Sequence, residues 1–304
     1  MIGIAGAGAF GTALAVALAR DGKGVTLWAR APGRGTGLPE GIDLTGDIGR
    51  LHGAEAVLLA VPMQALGGFL AVNAAHLGGA PLVACCKGVD VETLQGASAM
   101  IRAACPAATV AVLTGPSFAV DIAKGLPTAL TLACEGAGGE ALQRLLSTTT
   151  LRLYRSTDVV GAELGGALKN VIAIAAGVVM GAGLGHSARA ALITRGYAEM
   201  VRLALRLGAR AETLAGLSGL GDLVLTCTSD QSRNLRFGMA LGGGTAFDGA
   251  VTVEGVATAR AVVRLAEKVG VDMPVSKMVA ALIDKTLPLD AVIRSLMSRP
   301  LKEE

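Results

Sequence analysis

A glycine-rich turn between an apolar run and a longer amphipathic stretch most constrains how this chain can fold. The run Gly6-Ala7-Gly8-Ala9-Phe10-Gly11 follows a predicted strand at residues 2–5 and opens a predicted helix at residues 10–20. In such a turn the first glycine permits the tight bend, the second lets the backbone approach a pyrophosphate, and the third allows close helix–strand contact. The free N–H groups at the helix start face the phosphates. The pattern therefore predicts a dinucleotide site on these glycines; the alternative is a purely structural turn.

Short apolar runs alternate with longer segments through the first half of the chain, which predicts an α/β domain with a parallel sheet. The predicted strands are residues 2–5, 25–28, 56–61, 82–85, 109–113, 129–134 and 151–154. From about Asp158 onward the strand signals give way to long stretches rich in Ala and Leu. The predicted helices there are residues 162–181, 187–207, 212–227, 232–241, 254–269 and 274–284. We predict a Rossmann-type doubly wound sheet in residues 1–157 and an all-helical domain in residues 158–304.

Composition excludes several functional classes. Hydrophobic residues make up 52% of the chain and charged residues 17%, which excludes a disordered protein. The net charge is only +3 and no block of Lys or Arg occurs, so we expect no nucleic-acid partner. The longest apolar stretch, residues 171–184, has about 14 residues against the roughly 20 that a spanning helix needs. We therefore expect no integral membrane insertion.

The cysteines and the N-terminal region predict a cytoplasmic protein without a metal site. The five cysteines include no Cys-x-x-Cys pair, and two of them, Cys85 and Cys86, are neighbours. An odd number without metal-ligand spacing is typical of reduced thiols in a cytoplasmic protein. No signal-peptide pattern is apparent before the first predicted strand.

The end of the second predicted strand bears on which dinucleotide binds. An NAD site usually has an Asp or Glu there for the ribose hydroxyls, whereas this strand ends Leu27-Trp28-Ala29-Arg30. Arg30 can instead meet a 2′-phosphate, which favours NADPH over NADH. The alternative for Arg30 is a solvated loop charge.

Two further polar features follow predicted strands, where ligands bind in such folds. Lys87 and Gly88 follow the predicted strand at residues 82–85, and this lysine can reach a phosphate or a carbonyl oxygen. The next predicted strand is followed by Thr114-Gly115-Pro116-Ser117-Phe118-Ala119, in which Ser117 offers a hydroxyl over the same cleft. The alternative for each feature, taken alone, is an ordinary loop without a binding role.

Several polar residues stand out in the helical half. Lys169 opens the most apolar helix, and its ammonium group either extends to water at the helix end or lies in a pocket for chemistry. Asp222 and Thr226 are four residues apart among apolar neighbours, so they share one helix face.

Two predicted helix starts also carry polar side chains. Ser232-Arg233-Asn234 begins a helix, where Ser232 can cap and Arg233 can form an anion site. Glu254 begins another helix, where it can cap or bind a ribose or nicotinamide group.

Taken together, these stretches resemble the bacterial-type NAD(P)-dependent glycerol-3-phosphate dehydrogenases over nearly the whole chain. The runs Ala-Leu-Lys-Asn-Val at Lys169 and Gly-Leu-Gly-Asp-Leu at Asp222, in that order, are specific to this family. The matching runs are residues 6–15, 87–88, 113–119, 125–128, 163–177, 188–200, 216–229, 232–234 and 253–256. The resemblance implies a Rossmann domain, a helical domain similar to the C-terminal domain of 6-phosphogluconate dehydrogenase, and an active site between them.

The family reduces dihydroxyacetone phosphate to sn-glycerol 3-phosphate with NAD(P)H and feeds phospholipid synthesis. The resemblance implies that Lys169 is the catalytic lysine. It implies substrate contacts at Lys87, Gly115, Ser117, Lys169, Asp222, Ser232, Arg233 and Asn234. It implies dinucleotide contacts at Ala9, Phe10, Arg30, Lys87, Ala119, Arg233 and Glu254, beside the glycines of the turn. We expect NADPH, with NADH as the alternative, a phosphorylated triose as substrate, and a homodimer.

This chain departs from the family pattern in two places. The family usually has a longer segment after the second strand, whereas this chain has only residues 31–37 there. Because that loop borders the adenine end of the cofactor, its length bears on the role of Arg30 and on the choice between NADPH and NADH. His186 and Ser187 stand where an acidic or amide-bearing pair is expected, and we expect them to affect a loop rather than the chemistry.

Two other functions are compatible with parts of the pattern. A 3-hydroxyacid dehydrogenase of the 6-phosphogluconate type shares the fold and a catalytic Lys-x-x-x-Asn arrangement, but here Asn170 directly follows Lys169. A non-catalytic dinucleotide sensor would have lost Lys169, Asp222 or Arg233, and all three are present.

Overall fold

The structure, a computed structural model, describes residues 1–32 and 38–291. Eight strands form one sheet in the order β3-β2-β1-β4-β5-β6-β7-β8. All neighbouring strands are parallel except β6 and β7, which are antiparallel. The strands are β1 Ile2–Ala5, β2 Val25–Trp28, β3 Ile42–Thr45, β4 Ala56–Leu59, β5 Leu82–Ala84, β6 Val110–Thr114, β7 Thr128–Cys134 and β8 Leu151–Ser156.

Helices cover both faces of this sheet, so its strands are buried on both sides and consist mainly of apolar residues. The helices are α1 Ala9–Arg20, α2 Met63–Asn73, α3 Ala97–Ala104, α4 Ala119–Lys124 and α5 Gly138–Leu146, with 3₁₀ turns at Ile48–Leu51 and Ala74–Leu77. The strand order reverses between β1 and β4, and ligands bind at the carboxyl ends of the strands at such a point. The predicted Rossmann-type sheet is therefore confirmed.

The sequence prediction missed one strand and one strand direction. All seven predicted strands are present, with ends that differ by up to two residues. Strand β3 was missed because it is a half-exposed edge strand of four residues, Ile-Asp-Leu-Thr, with no continuous apolar run. The sheet is mostly parallel, as predicted, but the sequence did not indicate that β7 runs antiparallel to β6 after the short helix α4.

The remaining described part of the chain is helical. Its helices are α6 Val159–Gly181, α7 Gly185–Arg206, α8 Ala211–Ala215, α9 Asp222–Thr228, α10 Arg233–Gly243, α11 Glu254–Val269 and α12 Pro274–Ile283. Helix α6 lies at the centre of the second core, surrounded by the other helices. Its length and mean hydropathy of 1.6 would suit a membrane span, but 89% of its most apolar window is buried inside the protein. A core helix accounts for that apolar sequence.

Helices α6 and α10 pack with their backbones in contact. A methyl group on Gly177 or Gly181 of α6 would overlap backbone atoms of α10, and one on Gly238 or Gly242 of α10 would overlap carbonyl oxygens of α6. Glycine is required at these positions because two backbones cannot approach so closely past a Cβ atom. The contact fixes the start of α10 relative to the middle of α6.

The helix predicted at residues 212–227 is broken in the structure. It consists of α8, a turn of π-helix at Leu217–Gly221, and α9. Three glycines cause the break, and at Gly219 a side chain would overlap the Leu214 carbonyl. Asp222 therefore begins a new helix, α9.

The predicted domain boundary between residues 157 and 158 remains a prediction. Strand β8 ends at Ser156, and α6 begins at Val159 with the Asp158 carboxylate accepting a hydrogen bond of 2.8 Å from the Gly161 N–H. Residues 292–304 of the predicted second domain lie outside the described residues.

Candidate active site

A cleft of about 1,080 Å³ runs along the carboxyl ends of β1, β2, β4 and β5 and continues to the helical half. Ligand pockets usually measure about 300–1,000 Å³, so this cleft has room for a large ligand. Residues from both halves line it, among them Gly8 and Arg30 on the sheet side and Lys169 and Arg233 on the helical side.

The glycine-rich turn has the geometry that its sequence predicts. Gly6 has φ +117°, and a Cβ there would lie 2.6 Å from the Ala60 carbonyl oxygen. A Cβ on Gly11 would overlap the Gly6 carbonyl. Gly8 faces open space in the cleft, which leaves the backbone at the start of α1 bare. These N–H groups fit the pyrophosphate of a dinucleotide.

Two lysines share one buried carboxylate at the inner end of the cleft. The Lys169 ammonium donates a hydrogen bond of 2.9 Å to Asp222 Oδ1 and one of 2.7 Å to Thr226 Oγ1. The Lys87 ammonium donates a hydrogen bond of 2.7 Å to Asp222 Oδ2. Asp222 is fully buried, whereas both lysines line the cleft. The cluster carries one excess positive charge and presents it to the ligand space.

Burial and mutual charge set the protonation of this cluster. Burial is the main cause that lowers the pKa of Lys169 from its usual 10.5 to about 8; Asp222 opposes this change, and the Lys87 charge adds to it. Burial alone would raise the pKa of Asp222, but the two lysines outweigh it and hold that pKa below its usual value. Asp222 is therefore ionised at neutral pH, and Lys169 is about nine-tenths protonated at pH 7.

The loop after β6 positions Lys87 through its backbone. The Gly115 carbonyl accepts a hydrogen bond of 3.1 Å from the Lys87 ammonium. Gly115 has φ +138°, a conformation that favours glycine, and a Cβ there would press on Leu130. Ser117 lines the cleft, and its hydroxyl donates to the same carbonyl at 3.2 Å.

The start of α10 is held by its own cap and by α6. Ser232 caps the helix, since its hydroxyl oxygen accepts a hydrogen bond of 3.1 Å from the Leu235 N–H. The Asn234 side chain donates to Asn170 Oδ1 at 2.9 Å and accepts from the Gly255 N–H at 3.0 Å. Asn234 thereby joins Asn170, the residue after Lys169 on α6, to the start of α11. Arg233 lies in the cleft between these contacts, with its side chain exposed.

The remaining predicted dinucleotide residues also line the cleft. Arg30 lies exposed after β2, and Ala9, Phe10 and Ala119 lie at the starts of α1 and α4. Glu254 does not cap α11 but faces the cleft; burial raises its pKa, which Arg233 and the two lysines oppose. Residues 33–37 of the shortened segment after Arg30 lie outside the described residues.

Three of the predicted site residues do not line the cleft. Gly11 packs against the glycine turn, Gly115 acts through its carbonyl on Lys87, and Asp222 acts through the two lysines. His186 and Ser187 are exposed at the start of α7, away from the cleft. Among residues 1–32 and 38–291, no group of three His, Cys, Asp or Glu side chains could hold a metal ion.

The structure also brings residues into the cleft that the sequence analysis did not select. These are mainly Trp28, Val61, Pro62, Cys85, Cys86, Asp230, Arg236 and Thr252. Residues 61 and 62 follow β4 at the reversal of strand order, so the rule that selected Lys87 applies to them as well. Arg236 could have been selected because it lies one helical turn after Arg233.

Comparisons with known proteins agree over the whole chain. The sequence model described as NAD-dependent glycerol-3-phosphate dehydrogenase N-terminus matches residues 1–34 and 33–138, and the model of the C-terminus of the same enzyme matches residues 158–294. The glycerol-3-phosphate dehydrogenase [NAD(P)+] of Cereibacter sphaeroides is 69% identical over 100% of both chains. That of Paracoccus denitrificans is 60% identical over 100% of this chain and 99% of its own.

A solved structure extends the agreement to three dimensions. The crystal structure of glycerol-3-phosphate dehydrogenase from Coxiella burnetii superposes with a TM-score of 0.92 and 35% identity, covering 98% of each chain. The sequence and the overall fold therefore agree with these relatives. The chain belongs to the NAD(P)-dependent glycerol-3-phosphate dehydrogenase family.

Proposed function

We propose that the protein reversibly reduces dihydroxyacetone phosphate to sn-glycerol 3-phosphate with NAD(P)H and supplies glycerophospholipid synthesis. Family membership supports this activity, as does the activity after which these relatives are named. The observation that carries it is the buried cluster of Lys169, Asp222 and Lys87 at the inner end of a dinucleotide-sized cleft. Such a cluster offers a proton and a positive charge where a ketone is reduced.

Lys169 is proposed as the general acid. The bound nicotinamide supplies a hydride to the C2 carbonyl carbon, so negative charge develops on the carbonyl oxygen, and a positioned cation stabilises it. Lys169 carries such a charge, and its pKa of about 8 lies close to neutral pH, where proton donors are most effective. In the oxidation direction the same group must be neutral to accept a proton, so alkaline pH favours that direction.

Asp222 and Thr226 act on Lys169 rather than on the substrate. Their oxygens accept two hydrogen bonds from the Lys169 ammonium, which leaves its third N–H for the substrate. Asp222 also keeps the lysine protonated against the cost of burial. Both are positioning residues in this proposal.

Lys87 is proposed to bind both substrate and cofactor at the junction of the two halves. Its ammonium donates to Asp222 and to the Gly115 carbonyl, which fixes its position beside Lys169. Ser117 then presents its hydroxyl on the same loop.

The substrate phosphate is assigned to the start of α10. Arg233 offers two parallel N–H donors, a geometry that matches phosphate. Ser232 and Asn234 flank it, and the N-terminus of a helix favours an anion. The backbone contact of α10 with α6 keeps this phosphate position at a constant separation from Lys169.

The dinucleotide is assigned to the sheet side of the cleft. The bare backbone at Gly8 receives the pyrophosphate, Phe10 and Ala119 line the wall, and Arg30 faces the adenosine end. With Arg30 in place of an acid, NADPH is favoured over NADH.

A substrate and cofactor panel tests this function. The purified protein is assayed for oxidation of NADPH and NADH with dihydroxyacetone phosphate, dihydroxyacetone and a 3-carbon semialdehyde acid. We expect turnover with dihydroxyacetone phosphate and a large loss without the phosphate group. Equal or faster turnover of the semialdehyde would instead indicate a 3-hydroxyacid dehydrogenase.

We further propose that the protein is a cytoplasmic homodimer. All five cysteines are free thiols, which is typical of a reducing compartment. The exposed apolar side chains of the helical half, such as Leu205 on α7 and Val224 on α9, are candidates for burial between subunits. Light scattering coupled to size-exclusion chromatography measures the mass; a monomer at micromolar concentration would contradict the dimer.

A further inference from the structure

One arginine in the cleft has no role in the function proposed above. Arg236 lines the cleft, is exposed, and makes no hydrogen bond or ion pair with any residue of the described part of the chain. Most other described arginines hold a carboxylate or a carbonyl, as Arg260 does with Asp284. A guanidinium group that lies in a ligand cleft without a protein acceptor has its donors free for an anionic ligand.

The position of Arg236 on α10 places it beside the proposed phosphate site. Arg233 and Arg236 are three residues apart, so they lie on one face of the helix. Arg233 occupies the first position after the cap, next to Asn234, which contacts Asn170 of α6. Arg236 lies one turn further along the same wall of the cleft.

Beside the dinucleotide contacts that the resemblance implies for Lys87 and Arg233, the function proposed above assigns the cofactor pyrophosphate to backbone N–H groups. The substrate phosphate has Arg233, and the 2′-phosphate of NADPH has Arg30. The pyrophosphate has only backbone N–H groups on the sheet side, because neither the glycine turn nor the first turn of α1 carries a basic residue. Backbone N–H groups supply dipoles but no net charge, so a cation on the facing side of the cleft would add to pyrophosphate binding.

We propose that Arg236 binds the cofactor pyrophosphate from the helical side of the cleft. This inference rests on the proposed function, since it takes a nicotinamide dinucleotide as the ligand. The α1 N-terminus binds the pyrophosphate through N–H groups, and Arg236 adds charge and a forked pair of donors from the opposite wall. The cofactor then contacts both the sheet side and the helical side of the cleft.

The test measures cofactor binding without catalysis. Dissociation constants of NADPH, NADH and ADP-ribose are measured by fluorescence or calorimetry for wild type, Arg236→Ala and Arg236→Lys. ADP-ribose keeps the pyrophosphate but lacks the nicotinamide ring and the 2′-phosphate. Lys268→Ala is the matched control, because it removes one exposed positive charge outside the cleft.

We expect Arg236→Ala to raise all three dissociation constants by a similar factor of about ten, the lower part of the range for a charge-assisted hydrogen bond because the side chain is exposed. Arg236→Lys should retain part of the affinity, and Lys268→Ala should retain all of it. The KM for dihydroxyacetone phosphate at saturating NADPH should stay within about twofold of wild type.

Three results would overturn the inference. A loss confined to NADPH would assign Arg236 to the 2′-phosphate, and a loss confined to the KM for dihydroxyacetone phosphate would assign it to the substrate. Unchanged binding of all three nucleotides would leave Arg236 without a ligand role. If wild type binds the dinucleotides but does not reduce dihydroxyacetone phosphate, the proposed function fails while the binding comparison stays valid.

Discussion

Substitution of Asp222 by Asn removes the carboxylate that Lys169 and Lys87 share. Asp222 is fully buried and lies 2.9 Å from the Lys169 ammonium. An opposite charge at this distance typically changes a pKa by about 1–3. Without it, and with Lys87 still repelling, the pKa of Lys169 should fall from about 8 to roughly 5–7. The lysine is then largely neutral at neutral pH and has no proton to donate.

The size of the effect follows from the protonated fraction. Wild-type Lys169 is about nine-tenths protonated at pH 7, whereas a lysine of pKa 6 is about one-tenth protonated. We therefore expect kcat/KM for dihydroxyacetone phosphate reduction to fall about tenfold at pH 7 in Asp222→Asn, from the loss of the proton alone. Because the group must be protonated, activity is lost as pH rises through its pKa. In a plot of kcat/KM against pH, the pH at which activity falls should therefore move from about 8 in wild type to a lower value in the variant.

A profile of kcat/KM from pH 5.5 to 9 measures this displacement. The variant should recover toward wild type at the acid end, which a merely misfolded protein would not do. Asp230→Asn is the control, because Asp230 is an exposed acid of the same cleft. A falling limb that stays at the wild-type pH in Asp222→Asn would refute the assignment of Asp222 as the group that keeps Lys169 protonated.

Four further substitutions test other parts of the molecule. Lys169→Ala should lower kcat at least about a hundredfold, as expected for a lost general acid, while NADPH still binds; near-wild-type turnover would refute its role. Arg233→Ala should raise the KM for dihydroxyacetone phosphate steeply, and the assignment fails if the variant still discriminates against dihydroxyacetone as wild type does. Arg30→Ala should remove most of a kcat/KM preference for NADPH and leave the NADH value nearly unchanged; a retained preference would mean that the 2′-phosphate is recognised elsewhere. Gly238→Ala should lower the free energy of unfolding by about 1–3 kcal/mol or more in chemical denaturation, since its methyl group would overlap a carbonyl of α6, whereas Gly24→Ala, in open space, should not.

The sequence was sufficient for the parts of the fold that continuous apolar runs determine. Strands β1 and β2 and the long helix α6 lie within three residues of their predicted ends, because each buries most of its length. Edge strand β3 was missed because it buries little. The break between α8 and α9 was missed although glycines mark it in the sequence, because glycines also occur inside continuous helices of this chain, such as α6.

The site divides in a similar way. The residues that contact the cleft directly, such as Lys87 and Arg233, lie at strand ends and helix starts, where sequence rules apply. The sharing of Asp222 by two lysines depends on 135 residues of chain being folded back, and no local pattern encodes it. The lowered pKa of Lys169 depends on the same burial and so required the structure.

The backbone contact between α6 and α10 has an evolutionary consequence. No side chains lie between these two helices where their glycines touch, so substitutions there cannot enlarge or reduce an intervening side chain. The distance between the site residues on α6 and those on α10 therefore cannot change in small steps. New substrates of a different length would have to be accommodated from the loops after β5 and β6, whose side chains can change without parting two backbones. In laboratory evolution of substrate range, we therefore expect gains to accumulate around Lys87 and Ser117 and the glycines of α6 and α10 to stay fixed.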